Sequence, residues 1–144
     1  MVDLQGQYKN IKTEIDAAID EVVQSCYFVG GPKIKSFSDS LAKYLNAKDV
    51  IPCANGTDAL QIALMALDLK PGDEVITTPF TFVATSEVIA LLHLKPVFVD
   101  VHRDTFNIDE NLIEEAITEK TKCIIPVHLF GQGCNMEAIM EIAE

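Results

Sequence analysis

Between Tyr8 and Cys26, apolar residues fall at Ile11, Ile15, Ala18, Ile19, Val22 and Val23. Steps of three and four are the period of an amphipathic surface helix, here with acids on its other side. A second stripe of this kind, Ile34, Phe37, Leu41, Tyr44 and Leu45, predicts a helix that ends near Asn46. The aromatic stretch Tyr27-Phe28-Val29-Gly30-Gly31-Pro32 joins the two, with Pro32 suited to the first position of the second helix. Beyond Asn46 the pattern changes. Asp49–Cys53, Glu74–Thr78, Val97–Val101 and Lys122–Leu129 are short apolar runs that read as strands. Helical patterns separate them, over Leu60–Leu67, Val83–Leu94, Leu112–Ile117 and a final stretch reaching Glu144. Lys70-Pro71-Gly72-Asp73 has Pro and Gly where a type II turn wants them. Asn107 or Asp109 stands where the cap of the 112–117 helix belongs.

The strand runs are continuous rather than alternating, so both faces of the sheet are buried. Strands separated by helices make that sheet mostly parallel, and the fold class is α/β. Residues 1–32 form an N-terminal helix and aromatic-Gly loop, a candidate interface segment, and residues 33–144 form the α/β part. In such a sheet, ligands lie beyond the carboxyl ends of the strands. Three turns are expected to converge there: residues 54–58, 79–82 and 128–132.

The first of these turns carries chemistry. Cys53-Ala54-Asn55-Gly56-Thr57-Asp58-Ala59-Leu60 takes a strand into a helix through small polar residues. A helix N-terminus offers unpaired backbone N–H groups and a positive dipole end, which suits a phosphate. Gly56 removes a side chain from the approach, and Thr57 adds a hydroxyl. The Asp58 carboxylate must turn away from such a ligand, and an acid in the first turn equally suits a plain, well-capped helix. A dinucleotide fold is the obvious rival, but the first strand-turn-helix unit has no GxGxxG, and Gly30-Gly31 follows a helix.

Composition narrows the partners. The 144 residues are 49% hydrophobic and 23% charged, a globular balance. A net charge of −11 opposes nucleic acid and anionic membrane surfaces. No apolar run reaches the length of a membrane span, Met1-Val2-Asp3-Leu4-Gln5 is no signal peptide, and a cytoplasmic location is expected. The four cysteines have no CxxC spacing and no nearby His pair, so reduced thiols and no metal site are expected.

Five motifs occur in a fixed order: Phe28-Val29-Gly30-Gly31-Pro32, Asn55-Gly56-Thr57-Asp58-Ala59-Leu60, Pro71-Gly72-Asp73-Glu74-Val75-Ile76, Thr81-Phe82-Val83-Ala84-Thr85 and Pro126-Val127-His128-Leu129-Phe130-Gly131-Gln132. Together they resemble the amino-terminal part of the DegT/DnrJ/EryC/StrS nucleotide-sugar aminotransferases, across essentially the whole chain. The resemblance implies a pyridoxal 5'-phosphate enzyme, here the first half of the large domain of the aspartate-aminotransferase fold (PLP fold type I). Gly56, Thr57 and the Asp58 backbone amide then look like the cradle of the cofactor phosphate. Phe82 matches the aromatic that lies on the pyridine face. His128 and Gln132 line the site at the end of the last strand. Glu87, one turn after Phe82, faces the sugar, and Phe28 with Tyr27 borders the nucleotide or a partner subunit. His93 and His102 are expected in solvent.

The Cys-Ala-Asn-Gly-Thr-Asp-Ala-Leu-Gln version of the turn is most similar to members that aminate a UDP-linked 3-keto N-acetylhexosaminuronic acid. The resemblance therefore implies a keto nucleotide sugar as substrate, glutamate as amine donor, a homodimer with a shared active site and a role in surface-glycan precursor synthesis. The family also needs a lysine that forms a Schiff base and moves the proton, and an aspartate that keeps the pyridine nitrogen protonated. Both lie downstream of the segment that matches Pro126–Gln132. None of the eleven Lys and Arg residues stands at a matching position, so no catalytic residue is assigned within the chain. The sequence thus reads as an inactive fragment of an aminotransferase. A dehydratase of the same family, or a non-catalytic cofactor-binding regulator, is the alternative.

Overall fold

The computed structural model describes residues 2–144, which divide into two compact units, one ending at Pro52 and the other running from Cys53 to Glu144. The expected boundary at residues 32/33 falls inside the first unit. That unit is two helices. In α1 (Leu4–Ser25) the Asp3 carboxylate caps the start, accepting from the Gly6 N–H at 2.8 Å, and Cys26 ends the helix in the left-handed conformation. Then α2 (Pro32–Leu45) opens on Pro32 and closes on Asn46 at φ 53°, a conformation Asn tolerates well. No residue of either helix is buried, and the stripe Ile11, Ile15, Ile19 and Val23 is exposed.

The second unit contains α3 (Gly56–Ala66), β1 (Glu74–Thr77), α4 (Ala84–Leu91), β2 (Lys95–Phe98), α5 (Ile113–Ala116), β3 (Thr121–Ile124) and α6 (Met136–Ala143). Its sheet is parallel, as expected, in the order β2-β1-β3. All four residues of central β1 are buried, and its alternate side chains feed two cores. Val75 packs with Leu64, Val88, Ile89 and Leu94 on one face. Ile76 packs with Val99, Ile108, Ile113 and Ile139 on the other. The Lys70–Asp73 turn closes with Asp73 N–H on the Lys70 carbonyl at 3.0 Å and Gly72 at φ 91°, the value a type II turn requires. Buried Glu74 stands opposite Lys95 in the register and binds it at 2.8 Å. Lys95 and a 2.6 Å bond from the Thr118 hydroxyl hold its carboxyl below the usual range.

Several boundaries differ from the sequence reading. No strand forms at residues 49–53, where Ile51 is 77% exposed. An apolar run becomes a strand only beside a partner, and none of the described residues pairs with this one. β2 starts at Lys95 and takes in Pro96, two residues ahead of the expected Val97. β3 stops near Pro126: Ile125 N–H still reaches the Ile76 carbonyl at 2.8 Å, but proline has no N–H to continue the ladder. The helix expected over 112–117 is one turn of α-helix preceded by a 3₁₀ turn at Glu110–Leu112. Asp109, not Asn107, caps it. Among the described residues no helix is long and apolar enough to cross a membrane.

Candidate functional site

Chain direction sets the site at one edge of the sheet. β1 ends into the 78–83 loop and α4, while α3 leads back through the 70–73 turn to the start of β1. α3 packs on α4, so both helices begin at the edge where the strands finish. At the α3 N-terminus, the Asn55 carboxamide accepts from Asp58 N–H at 2.9 Å, and its NH₂ donates to the Asp58 carboxylate at 3.1 Å. This clasp turns the carboxylate onto the cap, which answers the objection that it would face an anion. It also occupies the Asp58 amide, so a phosphate using that amide must displace Asn55. Gly56 and Thr57 N–H have no acceptor among the described residues. A side chain built on Gly56 meets nothing within 4 Å, so the approach to these amides is open.

Phe82 follows β1 and is 74% exposed. It borders a hollow of about 210 Å³ with Thr78, Pro79, Ser86 and Phe98. A second hollow of about 200 Å³ lies between Pro79–Thr81 and Leu129–Phe130, so the structure does bring the 79–82 and 128–132 turns together. Glu87 is exposed on the first turn of α4, and Gln132 is exposed beyond β3. Phe28, 63% exposed, belongs to the first unit.

His128 is also exposed, but its Nδ1 accepts from Cys134 N–H at 3.1 Å. The residue that sequence reasoning missed is Asn107, only 4% exposed. Its NH₂ donates to the carbonyls of Gln132 at 3.2 Å and Gly133 at 2.9 Å, and its oxygen accepts from Leu129 N–H at 3.1 Å. An Asn between Phe106 and Ile108 was the available signal, since a polar residue amid apolar neighbours is buried only when fully bonded.

A larger hollow, about 380 Å³, lies away from Phe82, between the 102–110 segment and Gly133–Asn135. There His102, expected in solvent, is instead 2.8 Å from Glu110 and 3.4 Å from Asp109. The bond to Glu110, helped by Asp109 and Asp104 and opposed by partial burial, raises the imidazole pKa. These donors lie within 4.8 Å of one another, a set a divalent cation could share, but each already has a protein partner. A raised folded-state pKa favours the charged ring in the native protein. That contribution is complete below the unfolded value near 6.5 and vanishes as pH rises through the folded value. The melting temperature should therefore fall as pH climbs above about 6.5, and His102→Gln should flatten that part of the profile. Identical profiles for the two proteins would remove His102 as the cause.

The profile of the DegT/DnrJ/EryC1/StrS aminotransferase family matches residues 9–144. The chain belongs to this family. It is 51% identical over 142 residues to the UDP-2-acetamido-2-deoxy-3-oxo-D-glucuronate aminotransferase of Pseudomonas aeruginosa, which covers 99% of this chain and 40% of that protein. It is 53% identical over 144 residues to a pleiotropic regulatory protein of Geobacillus stearothermophilus, covering all of this chain and 39% of the relative. Among solved structures, NtdA of Bacillus subtilis with bound cofactor PMP superposes at a TM-score of 0.89 and 41% identity, over 93% of this chain and 31% of NtdA. The DegT-family chain thus spans about two-fifths of the length of the curated relatives it matches, and its α/β fold is that of family aminotransferases.

Proposed function

We propose that this chain is the amino-terminal part of a pyridoxal-phosphate aminotransferase that transfers an amine, with glutamate as donor, to a UDP-linked 3-keto N-acetylhexosaminuronic acid. The observation that carries this reading is a pair of features at one sheet edge: the open amides of Gly56 and Thr57, and the bare ring of Phe82. The residues fit the cofactor. Gly56 and Thr57 would hold its phosphate by backbone N–H groups and a hydroxyl, and Phe82 would lie flat against its ring, fixing the plane while leaving the edges free. When bound, the cofactor supplies an electron sink and an amine carrier. The substrate class rests on the 51% identity to the Pseudomonas aeruginosa enzyme. A homodimer and a place in surface-glycan precursor synthesis belong to the same reading.

The chain's part in this chemistry is binding and orientation. On this reading, proton transfer would fall to a Schiff-base lysine that the motifs of this chain do not supply. The isolated 144-residue chain is therefore expected to give no turnover with glutamate and keto sugar nucleotide, and detectable product would defeat that expectation. In the full-length protein, Phe82→Ala should weaken pyridoxal phosphate binding about tenfold, because a stacked aromatic pair is worth roughly 0.5–1.5 kcal/mol beyond its buried area. Cofactor absorbance during titration reads this directly, and an unchanged affinity would remove Phe82 from the cofactor face.

A second reading follows from the 53% identity to the regulatory protein of Geobacillus stearothermophilus. It has the same cofactor turn serving a non-catalytic role. The two part on one point, since a regulator without the downstream lysine would hold the cofactor without a covalent bond, which borohydride reduction would fail to trap.

A further inference from the structure

The loop that follows β3 is held from a distance. Leu129–Gly131 form a 3₁₀ turn that is kinked at Phe130, φ 55°, and leaves through Gly131 at φ 79°. For Phe this conformation is unfavourable and persists only where surroundings impose it. The surroundings are Asn107, whose side chain makes three bonds to the backbone of residues 129, 132 and 133, gripping both ends of the turn. Asn107 is buried at 4% exposure, and its amide oxygen and nitrogen are both engaged by this loop.

What the grip controls is His128. The loop returns to Cys134, whose N–H donates to His128 Nδ1 at 3.1 Å. A backbone N–H can only donate, so Nδ1 must be the acceptor, and the neutral ring carries its proton on Nε2. His128 is exposed four residues beyond β3 and directly precedes Leu129, which with Phe130 lines the hollow shared by the 79–81 turn. With its only lone pair spent on Cys134, neutral His128 can give a hydrogen bond outward but cannot take a proton there.

We propose that Asn107 is a positioning residue of the ligand site, holding the loop after β3 so that His128 presents Nε2–H as a hydrogen-bond donor to an oxygen of the bound ligand. The oxygen belongs to the cofactor or to the sugar nucleotide. Only the ligand's identity rests on the aminotransferase reading; the geometry of Asn107, Cys134 and His128 does not.

The test uses the full-length protein in two arms. In the first, ¹⁵N-histidine spectra are recorded without ligand at a pH above the ordinary histidine range, with the His128 signals assigned by their loss in His128→Ala. Wild type should show one tautomer with the proton on Nε2, and Asn107→Ala should show a mixture. Averaging already present in wild type, or none in Asn107→Ala, overturns the positioning role. In the second arm, His128→Ala should weaken either pyridoxal phosphate binding or the KM for the sugar nucleotide about tenfold, with kcat within about threefold. Which of the two moves identifies the oxygen. His128→Gln, which keeps an N–H donor, should recover part of the loss, and Asn107→Ala combined with His128→Ala should be no weaker than His128→Ala alone. Unchanged affinities for both ligands in His128→Ala, or multiplying losses in the double variant, overturn the proposal. A wild-type protein that neither binds pyridoxal phosphate nor turns over overturns the aminotransferase reading instead, and the tautomer arm then decides the positioning by itself. If Asn107→Ala does not fold, the wild-type tautomer and the two His128 variants still decide whether His128 donates from Nε2 to the ligand.

Discussion

Ile76→Ala is expected to lower the unfolding free energy by about 4 kcal/mol, within the range for truncating a buried Ile to Ala. Ile76 has no exposed surface and lies on the central strand, between β2 and β3. It clusters with Val99 and Ile108 of the β2–α5 connection, Ile113 of α5 and Ile139 of α6. Neighbours tied to so many elements cannot all shift toward a lost side chain, so most of the cavity stays open. Against a typical domain stability of about 5–15 kcal/mol, such a loss is a large fraction of the total. Urea melts of the two proteins measure it. Met65→Ala, at a 60% exposed position, is the control and should change stability by no more than about 0.5 kcal/mol. A loss below about 1 kcal/mol at Ile76 would mean that this face of the sheet is not closed in solution.

Asn107→Leu should cost about 3 kcal/mol, although it adds apolar surface to a buried position. Leucine is close in size to asparagine but has no polar atom, so the bonds to Leu129, Gln132 and Gly133 are lost together. Each is worth about 1 kcal/mol, and a buried backbone group left without a partner costs about 1–3 kcal/mol more. Leu129 N–H also has the Val127 carbonyl at 3.0 Å, which tempers the total. Amide hydrogen exchange separates this local effect from a global one. Leu129 should exchange faster than amides of β1 in the variant, and uniform acceleration across the sheet would show that Asn107 acts on the whole fold instead.

Much of this protein was legible from local chemistry. Pro32 opening a helix, Asn46 closing one and Gly72 in its turn each depend on atoms within about four residues, and all three occur as the residue types predict. The parallel sheet followed from apolar runs separated by helical periods. The polar start of α3 at Asn55–Asp58 was readable for the same reason, whereas the cofactor roles proposed for it and for Phe82 rest on the family resemblance.

Tertiary structure decided the rest. Val50-Ile51-Pro52-Cys53 has the composition of a strand, but strand formation needs hydrogen bonds from another segment, and residue type within the run cannot supply them. Asn107 looked like a helix cap because Asn favours caps; its true partners lie 22 to 26 residues away, at Leu129, Gln132 and Gly133. His102 looked solvated until the 101–108 hairpin, closed by the Val101–Ile108 bridge, brought Asp109 and Glu110 against it. Sequence by itself determined most of the helices, three of the four expected strands, their order and the turn chemistry, because propensity and capping act over one or two turns of chain. The folded chain alone determined which loop is held, by which side chain, and which imidazole nitrogen faces the Cys134 N–H, because those bonds join segments that only packing brings together.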